Sequence, residues 1–182
     1  MTERLTDLAA IEAGVWRELE AALRRKDHAW RSGVLATTDG EAADARTVVL
    51  RELDVATRTL RLYTDARSAK VAQIAAHPQG TLVLWSPALS WQLRLKLKLE
   101  VESSGLAVSS RWARLKMMPA AQDYMSPWPP GSALEQPALE RGSRDYFAVV
   151  TAQISAIDWL ELHADGHRRA LFDSRGQRWL AP

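Results

Sequence analysis

The sequence predicts a mainly β protein: an antiparallel barrel or sandwich core with helices on its flanks. Three observations carry this. The segment WQLRLKLKLEVE, residues 91–102, places Leu93, Leu95, Leu97, Leu99 and Val101 at every second position, the period of a strand with one buried face. Four more strand-like runs precede it, so five strands fall within about 70 residues. Ahead of them, Leu5, Leu8, Ile11, Val15, Trp16, Leu19 and Leu23 recur at three- and four-residue spacing, the stripe of one amphipathic helix.

The elements follow in order. The helix is expected over residues 5–25, within an N-terminal segment 1–30, with Glu12, Arg17, Glu18, Glu20, Arg24 and Arg25 facing solvent. SGVLATTD (32–39) is a strand ending at the turn signal Asp39-Gly40. ARTVVLREL (45–53) and RTLRLYTD (58–65) flank a short connection and form a hairpin. SAKVAQIAAH (68–77) is a short helix, with Ser68 suited to its N-cap and Pro78 beyond its end. GTLVLWSP (80–87) and the 91–102 segment are strands, and SRWARLKMM (110–118) is a second short helix. Residues 119–144 hold five prolines and form a long irregular loop, a kind of segment that often carries function. Residues 146–162 and 168–182 add two or three strands. No repeat or domain boundary interrupts the chain, so 1–182 is expected to be one domain.

Composition narrows the chemistry. Apolar residues make up 47% and charged residues 25% of 182 residues, with a net charge of +2, the profile of an ordinary globular protein. There is no cysteine, which excludes disulfides, thiolate metal sites and cysteine nucleophiles, and makes a reducing, cytoplasmic setting the expected one. No run approaches the roughly 18 apolar residues of a membrane span, and the first residues lack a signal-type apolar block. The charge balance argues against a nucleic-acid partner, because the basic row Arg94, Lys96 and Lys98 ends in Glu100 and Glu102. That row is expected to face outward, where cations blunt aggregation if the strand lies at an edge. Glycine-rich nucleotide loops, Walker loops and HExxH are absent. His163 and His167 are four apart but straddle a turn, so no metal site is expected.

The strongest chemical signal is for an anion. In YTDARSAK a strand ends at Tyr63-Thr64, a loop carries Arg67, and a helix opens at Ser68 with Lys70 in its first turn. Free backbone N–H groups and the positive end of the helix dipole favour an anion there. Arg46 and Arg51 bracket the apolar run of a neighbouring strand, so a phosphate among Arg46, Ser68 and Lys70 is one reading; a capped surface helix with solvated cations is the other.

RTVVLR (46–51), LYTDARSAK (62–70), HPQGTLVLW (77–85) and WQLRLKLKLE (91–100), in that order and spacing, resemble the core of the pyridoxamine 5'-phosphate oxidase superfamily. The closing IDWLELHADGHRRALFDSRGQRWLAP (157–182) is similar to that oxidase's C-terminus. The resemblance covers residues 32–182. It implies an FMN-binding split β-barrel of Greek-key type, working as a homodimer with FMN at the subunit interface and acting on a small-molecule substrate.

Position by position, the resemblance places the strand Arg46, Thr47, Val48, Val49, Leu50 and Arg51 against the cofactor, with Arg46 towards the phosphate. It places Tyr63 and Thr64 beside the cofactor, Ser68 and Lys70 at the phosphate, and Gln92, Trp159 and Arg169 at the flavin, the last two commonly from the other subunit. Where the family has an arginine before the helix lysine this chain has Ala69, and Arg67 is expected to compensate. On the substrate side a Tyr…Arg…Ser series reads Tyr124, Trp128 and Ser132, and an Arg-x-His pair reads Asp165-Gly166-His167. Two cations are lost, which disfavours a phosphate dianion, while tryptophan favours a flat or apolar molecule. The expected function is FMN-dependent redox chemistry on an unassigned substrate, with Tyr124, Trp128, Ser132, His167 and Arg169 near its entrance. A non-catalytic flavin carrier or sensor is the alternative, and the fold class also accommodates deazaflavin or haem.

Overall fold

A computed structural model describes residues 4–138 and 140–182. Helix α1 (Leu8–Arg24) leads into strands β1 (Ser32–Thr38), β2 (Ala43–Asp54) and β3 (Thr59–Asp65). Helix α2 (Ala69–Ala76) connects to β4 (Gln79–Ser86) and β5 (Trp91–Glu102). Helix α3 (Leu106–Leu115) and a 3-10 turn (Pro119–Tyr124) precede β6 (Phe147–Glu161), β7 (Arg168–Asp173) and β8 (Gly176–Leu180).

The strand order is β3-β2-β1-β4-β5-β6-β7-β8, and β3 also pairs with β6. That pairing, Thr59 with Gln153 through Asp65 with Phe147, closes six antiparallel strands into a barrel. The chain passes from β3 through α2 to β4, which lies beside β1; the order 4-1-2-3 is a Greek key. Strands β7 and β8 extend the sheet beyond the barrel. β5 is not an edge strand: it lies between β4 and β6, so its cations do not guard an edge.

Sequence periodicity becomes packing directly. On β5, residues Leu93 and Leu95 are fully buried and Leu97 and Leu99 nearly so, while Lys96 and Lys98 are exposed. α1 buries Ile11, Val15, Leu19 and Ala22 on the barrel, and Trp30, Trp91 and Trp159 pack in the same core. The helix begins at Leu8 rather than Leu5 because the Asp7 side chain caps it, accepting from the Ala10 N–H at 2.8 Å. α3 runs four residues earlier than the sequence suggested at its start: Gly105, at φ +92°, breaks the chain after β5, and the helix is complete before Pro119.

β1 and β4 meet where only glycine fits. A Cβ on Gly33 would lie 2.4 Å from Leu84 Cδ2 and 2.8 Å from the Val83 carbonyl oxygen. The leucine can shift, but the β4 backbone cannot without breaking its pairing. Gly33→Ala is therefore expected to destabilise by about 1–3 kcal/mol, read as a melting temperature lower by roughly 2–10 °C. An unchanged melting curve would show that β4 yields at this point.

Candidate functional site

At one end of the barrel a cavity of about 180 Å³ opens between β2, β3, the start of α2 and the 3-10 turn. Thr47, Val48, Val49 and Arg51 line it from β2, Tyr63 and Thr64 from β3, Lys70 from α2, and Asp123 and Tyr124 from the turn.

Lys70 is the most informative residue. Its Nζ donates to Thr64 Oγ1 and to Ser68 Oγ, each at 3.0 Å. No carboxylate lies within ion-pair distance of it among the described residues. Burial holds its ammonium below the ordinary lysine range, and the nearby Arg46 charge acts in the same direction. Lys70 is thus a half-buried cation whose hydrogen-bond partners are hydroxyls. Ser68 occupies the N-cap of α2, yet its side chain makes no capping bond to the helix; its hydroxyl turns to Thr64, at 3.1 Å, and to Lys70. The first-turn N–H groups of α2 are thus left uncapped by that side chain, beside the lysine.

Arg46 does not line the cavity. Its guanidinium donates to Thr37 Oγ1 at 2.6 Å and Gln73 Oε1 at 3.1 Å, and pairs with Asp44. Gln73 is on α2, so Arg46 ties β2 to the helix that bears Lys70. Arg67 departs further from expectation. It does not reach towards Lys70, but forms a fork on Asp65 and bonds the carbonyls of residues 126–128.

Tyr63 donates its hydroxyl to Glu52 at 2.8 Å, and burial followed by Glu52 pushes its pKa up to about 12. Arg111 of α3 makes two 2.7 Å bonds to the same carboxylate and holds Glu52 below its ordinary range. The Tyr63 hydroxyl is thereby committed to anchoring α3. Tyr124 is buried against Phe147, with ring centroids 5.3 Å apart, and burial raises its pKa.

Other expected residues are not gathered at this cavity. Trp128 is 46% exposed, and the Ser132 hydroxyl donates to the Pro129 carbonyl at 2.8 Å within its own loop. His167 is exposed and accepts the His163 backbone N–H, and no metal-binding group of side chains occurs among the described residues. Trp159 is fully buried, its ring 5.4 Å from that of Trp91 and 6.5 Å from that of Trp179. It has no surface to offer a flavin in this protomer, and its place is in the core. Leu50 is also fully buried. Gln92, by contrast, stands on the outer face of β5, in register with Trp85 on β4 and Leu160 on β6; Leu160 in turn pairs with Arg169 on β7. Arg169 is bound to Asp158, which Arg94 also engages. Burial works against the Asp158 charge, but these two arginines outweigh it and hold the carboxyl low.

The same outer face is unusually apolar. Val34, Val49 and Trp85 are 42%, 36% and 41% exposed, and Leu160, Leu171 and Leu180 lie on it half-buried. Barrel strands that face water alternate apolar-in and polar-out, and the exposed apolar residues along this row depart from that pattern.

Leu35, Leu62, Asp123 and Val150 also line the cavity and were not singled out in the sequence. The pairing of Leu62 with Val150, 88 positions apart, has no local signature. Asp123 had one, as the neighbour of Tyr124.

Comparison with known proteins adds the family. The model of the pyridoxamine 5'-phosphate oxidase FMN-binding domain matches residues 13–103, which hold β1 to β5 and α2 with Lys70. The chain belongs to this family. A pyridoxine/pyridoxamine 5'-phosphate oxidase of Caulobacter vibrioides is 30% identical over 128 residues, covering 68% of this chain; the match spans 57% of that relative's length. Two solved structures share the fold. A pyridoxamine 5'-phosphate oxidase-related FMN-binding protein of Nostoc punctiforme has a TM-score of 0.73 at 23% identity, covering 93% of this chain and 96% of its own. PhzG of Burkholderia lata, in complex with tetrahydrophenazine-1-carboxylic acid, has a TM-score of 0.72 at 13% identity, covering 99% and 95%. The split barrel with flanking helices is therefore the fold of this family member. No helix among the described residues is long and apolar enough to cross a membrane.

Proposed function

We propose that this family member binds FMN as a homodimer and uses it as an oxidoreductase on a small, flat substrate other than pyridoxamine 5'-phosphate, in a reducing compartment such as the cytoplasm. The observation that carries the reading is Lys70, a half-buried ammonium held only by two hydroxyls beside the uncapped start of α2. The donor set fits a phosphate monoester: one cation, two hydroxyls and helix N–H groups. Lys70, Ser68 and Thr64 would hold the phosphate, with Arg46 positioning α2 through Gln73. The β2 segment Thr47–Arg51 and Tyr124 would flank the rest of the cofactor. When bound, the flavin supplies redox chemistry, and the protein's part is orientation, electrostatics and access.

A cavity of about 180 Å³ is smaller than the roughly 300–1,000 Å³ usual for cofactor pockets. A second copy is the natural source of the missing wall, because the apolar outer face carries Gln92 and Arg169, two residues that the family places at the flavin. FMN titration into colourless protein tests the reading: saturable binding with flavin bands near ~370 and ~450 nm supports it, and absence of binding overturns it.

The substrate prediction follows from charge. Of the residues expected at the substrate entrance, Tyr124, Trp128, Ser132, His167 and Arg169, the arginine is already paired with Asp158, and by the family resemblance Trp128 stands in place of a phosphate-binding arginine. With FMN bound, pyridoxamine 5'-phosphate is expected to give no turnover above background, whereas reduced nicotinamides or flat apolar reductants bleach the flavin. Oxidation of pyridoxamine 5'-phosphate at rates near 1 s⁻¹ or faster, the lower end of ordinary enzyme turnover, would overturn this assignment.

A further inference from the structure

We propose that Arg67 is a positioning residue that fixes the Trp128 loop at the rim of the cavity, not a ligand of the cofactor phosphate. This rests in part on the reading of the cavity as a flavin site. Each guanidinium nitrogen is already engaged. Nε and Nη2 make a fork on Asp65 at 3.0 and 2.7 Å. Nη2 donates to the Ser126 carbonyl at 2.8 Å and the Trp128 carbonyl at 3.3 Å, and Nη1 donates to the Pro127 carbonyl at 3.2 Å. Its flat face stacks on Tyr146, 3.2 Å from the ring centroid. Asp65 is 6% exposed, so the fork is fixed from beneath by a buried carboxylate.

The geometry suits a loop clamp. The described residues 126–138, 140 and 141 are bounded by a narrow neck. The Gly142 N–H donates to the Met125 carbonyl at 2.7 Å and the Tyr146 N–H donates to the Tyr124 carbonyl at 2.9 Å. The Ala66 N–H, next to Arg67, donates to the Tyr146 carbonyl at 2.7 Å. Arg67 is the side chain that joins this neck to the β3–α2 turn, where Thr64, Ser68 and Lys70 stand. Three consecutive carbonyls converging on one planar cation define the backbone path that carries Trp128. A lysine there would keep the charge but lose the planar fork and the stack.

The test compares Arg67→Ala and Arg67→Lys with the wild type in the full chain. Two quantities are read: FMN affinity by titration, and amide hydrogen exchange by mass spectrometry over residues 125–146. The expected result is FMN affinity within about threefold of wild type, with exchange in that segment faster by about tenfold or more, since losing even one charge-assisted bond shifts a local opening equilibrium by that much. Lysine is expected not to restore protection; if it does, charge alone holds the loop and the fork assignment is overturned. A fall in FMN affinity of tenfold or more, with or without loop opening, would make Arg67 a phosphate ligand and overturn the separation of roles. Unchanged exchange would show that the contacts do not hold the loop. Arg67→Ala leaves Asp65 buried without its partner, so the double variant with Asp65→Asn carries the test if the single variant does not fold. If wild-type protein fails to bind FMN, the flavin reading falls alone, and exchange in the ligand-free protein still decides the loop's anchor.

Discussion

Lys70→Met is expected to weaken FMN binding by about 10- to 100-fold, the equivalent of roughly 1.5–3 kcal/mol for hydrogen bonds to a charged group, while leaving the ligand-free protein as stable as before or more so. The two effects separate a binding cation from a structural one. In the ligand-free chain the ammonium is desolvated and has no carboxylate partner among the described residues. Methionine removes that unfavourable charge at similar volume. The hydroxyls left behind are not orphaned, because Thr64 Oγ1 and Ser68 Oγ are already 3.1 Å apart and can bond each other. The pH dependence has a definite sign. A lysine whose pKa is lower folded than unfolded binds fewer protons in the native state, so its penalty is complete below the folded pKa and is relieved as pH rises towards the ordinary lysine value. Ligand-free wild type should therefore gain stability in that alkaline window, and Lys70→Met should lack the gain. FMN affinity moves the other way, falling as the ammonium loses its proton. A Lys70→Met protein that melts markedly earlier yet binds FMN normally would show that the lysine serves the fold.

The turn that carries Lys70 was legible because it is local. Strand end, loop, N-cap and lysine fall within eight consecutive residues, Tyr63 to Lys70, and helix physics dictates what such a turn can hold. The strands were legible for the same reason, since a period of two needs no knowledge of the partner strand. Arg67 was not. Its neighbours in sequence suggested a phosphate ligand, but besides Asp65 two positions away its partners are carbonyls some 60 positions away in a loop with no regular pattern. Trp159 illustrates a second limit. Family correspondence assigns a position to a site, whereas burial depends on what stands beside it, and here Trp91 and Trp179 close over the ring. Alternation of the β5 cations showed that they point outward but not what covers them; Arg94 finds Asp158 on β6, a partner visible only once the register is known.

Trp85→Glu is expected to convert a dimer to a folded monomer and, with it, to abolish FMN binding at micromolar cofactor. Trp85 is 41% exposed on β4, directly beside Gln92, so its replacement leaves the barrel core intact. If the apolar row is where two copies meet, a carboxylate there is driven into a dry surface without a partner, at a cost of several kcal/mol and an association constant lower by about 100-fold or more. Cofactor binding should fail together with association if the site is shared, since a cavity of about 180 Å³ is small for a cofactor and Gln92 and Arg169 stand on the face that association would bring to the other copy. Sedimentation velocity and FMN titration on the same sample check both halves, with circular dichroism confirming the fold. A variant that remains dimeric and yellow would show that copies meet elsewhere. A monomeric wild type that still binds FMN would show that one cavity suffices, and the apolar face would then need a different occupant. A monomeric variant that keeps full FMN affinity would uncouple the two properties. Only joint loss, in a chain that keeps its barrel, fits a site divided between two copies.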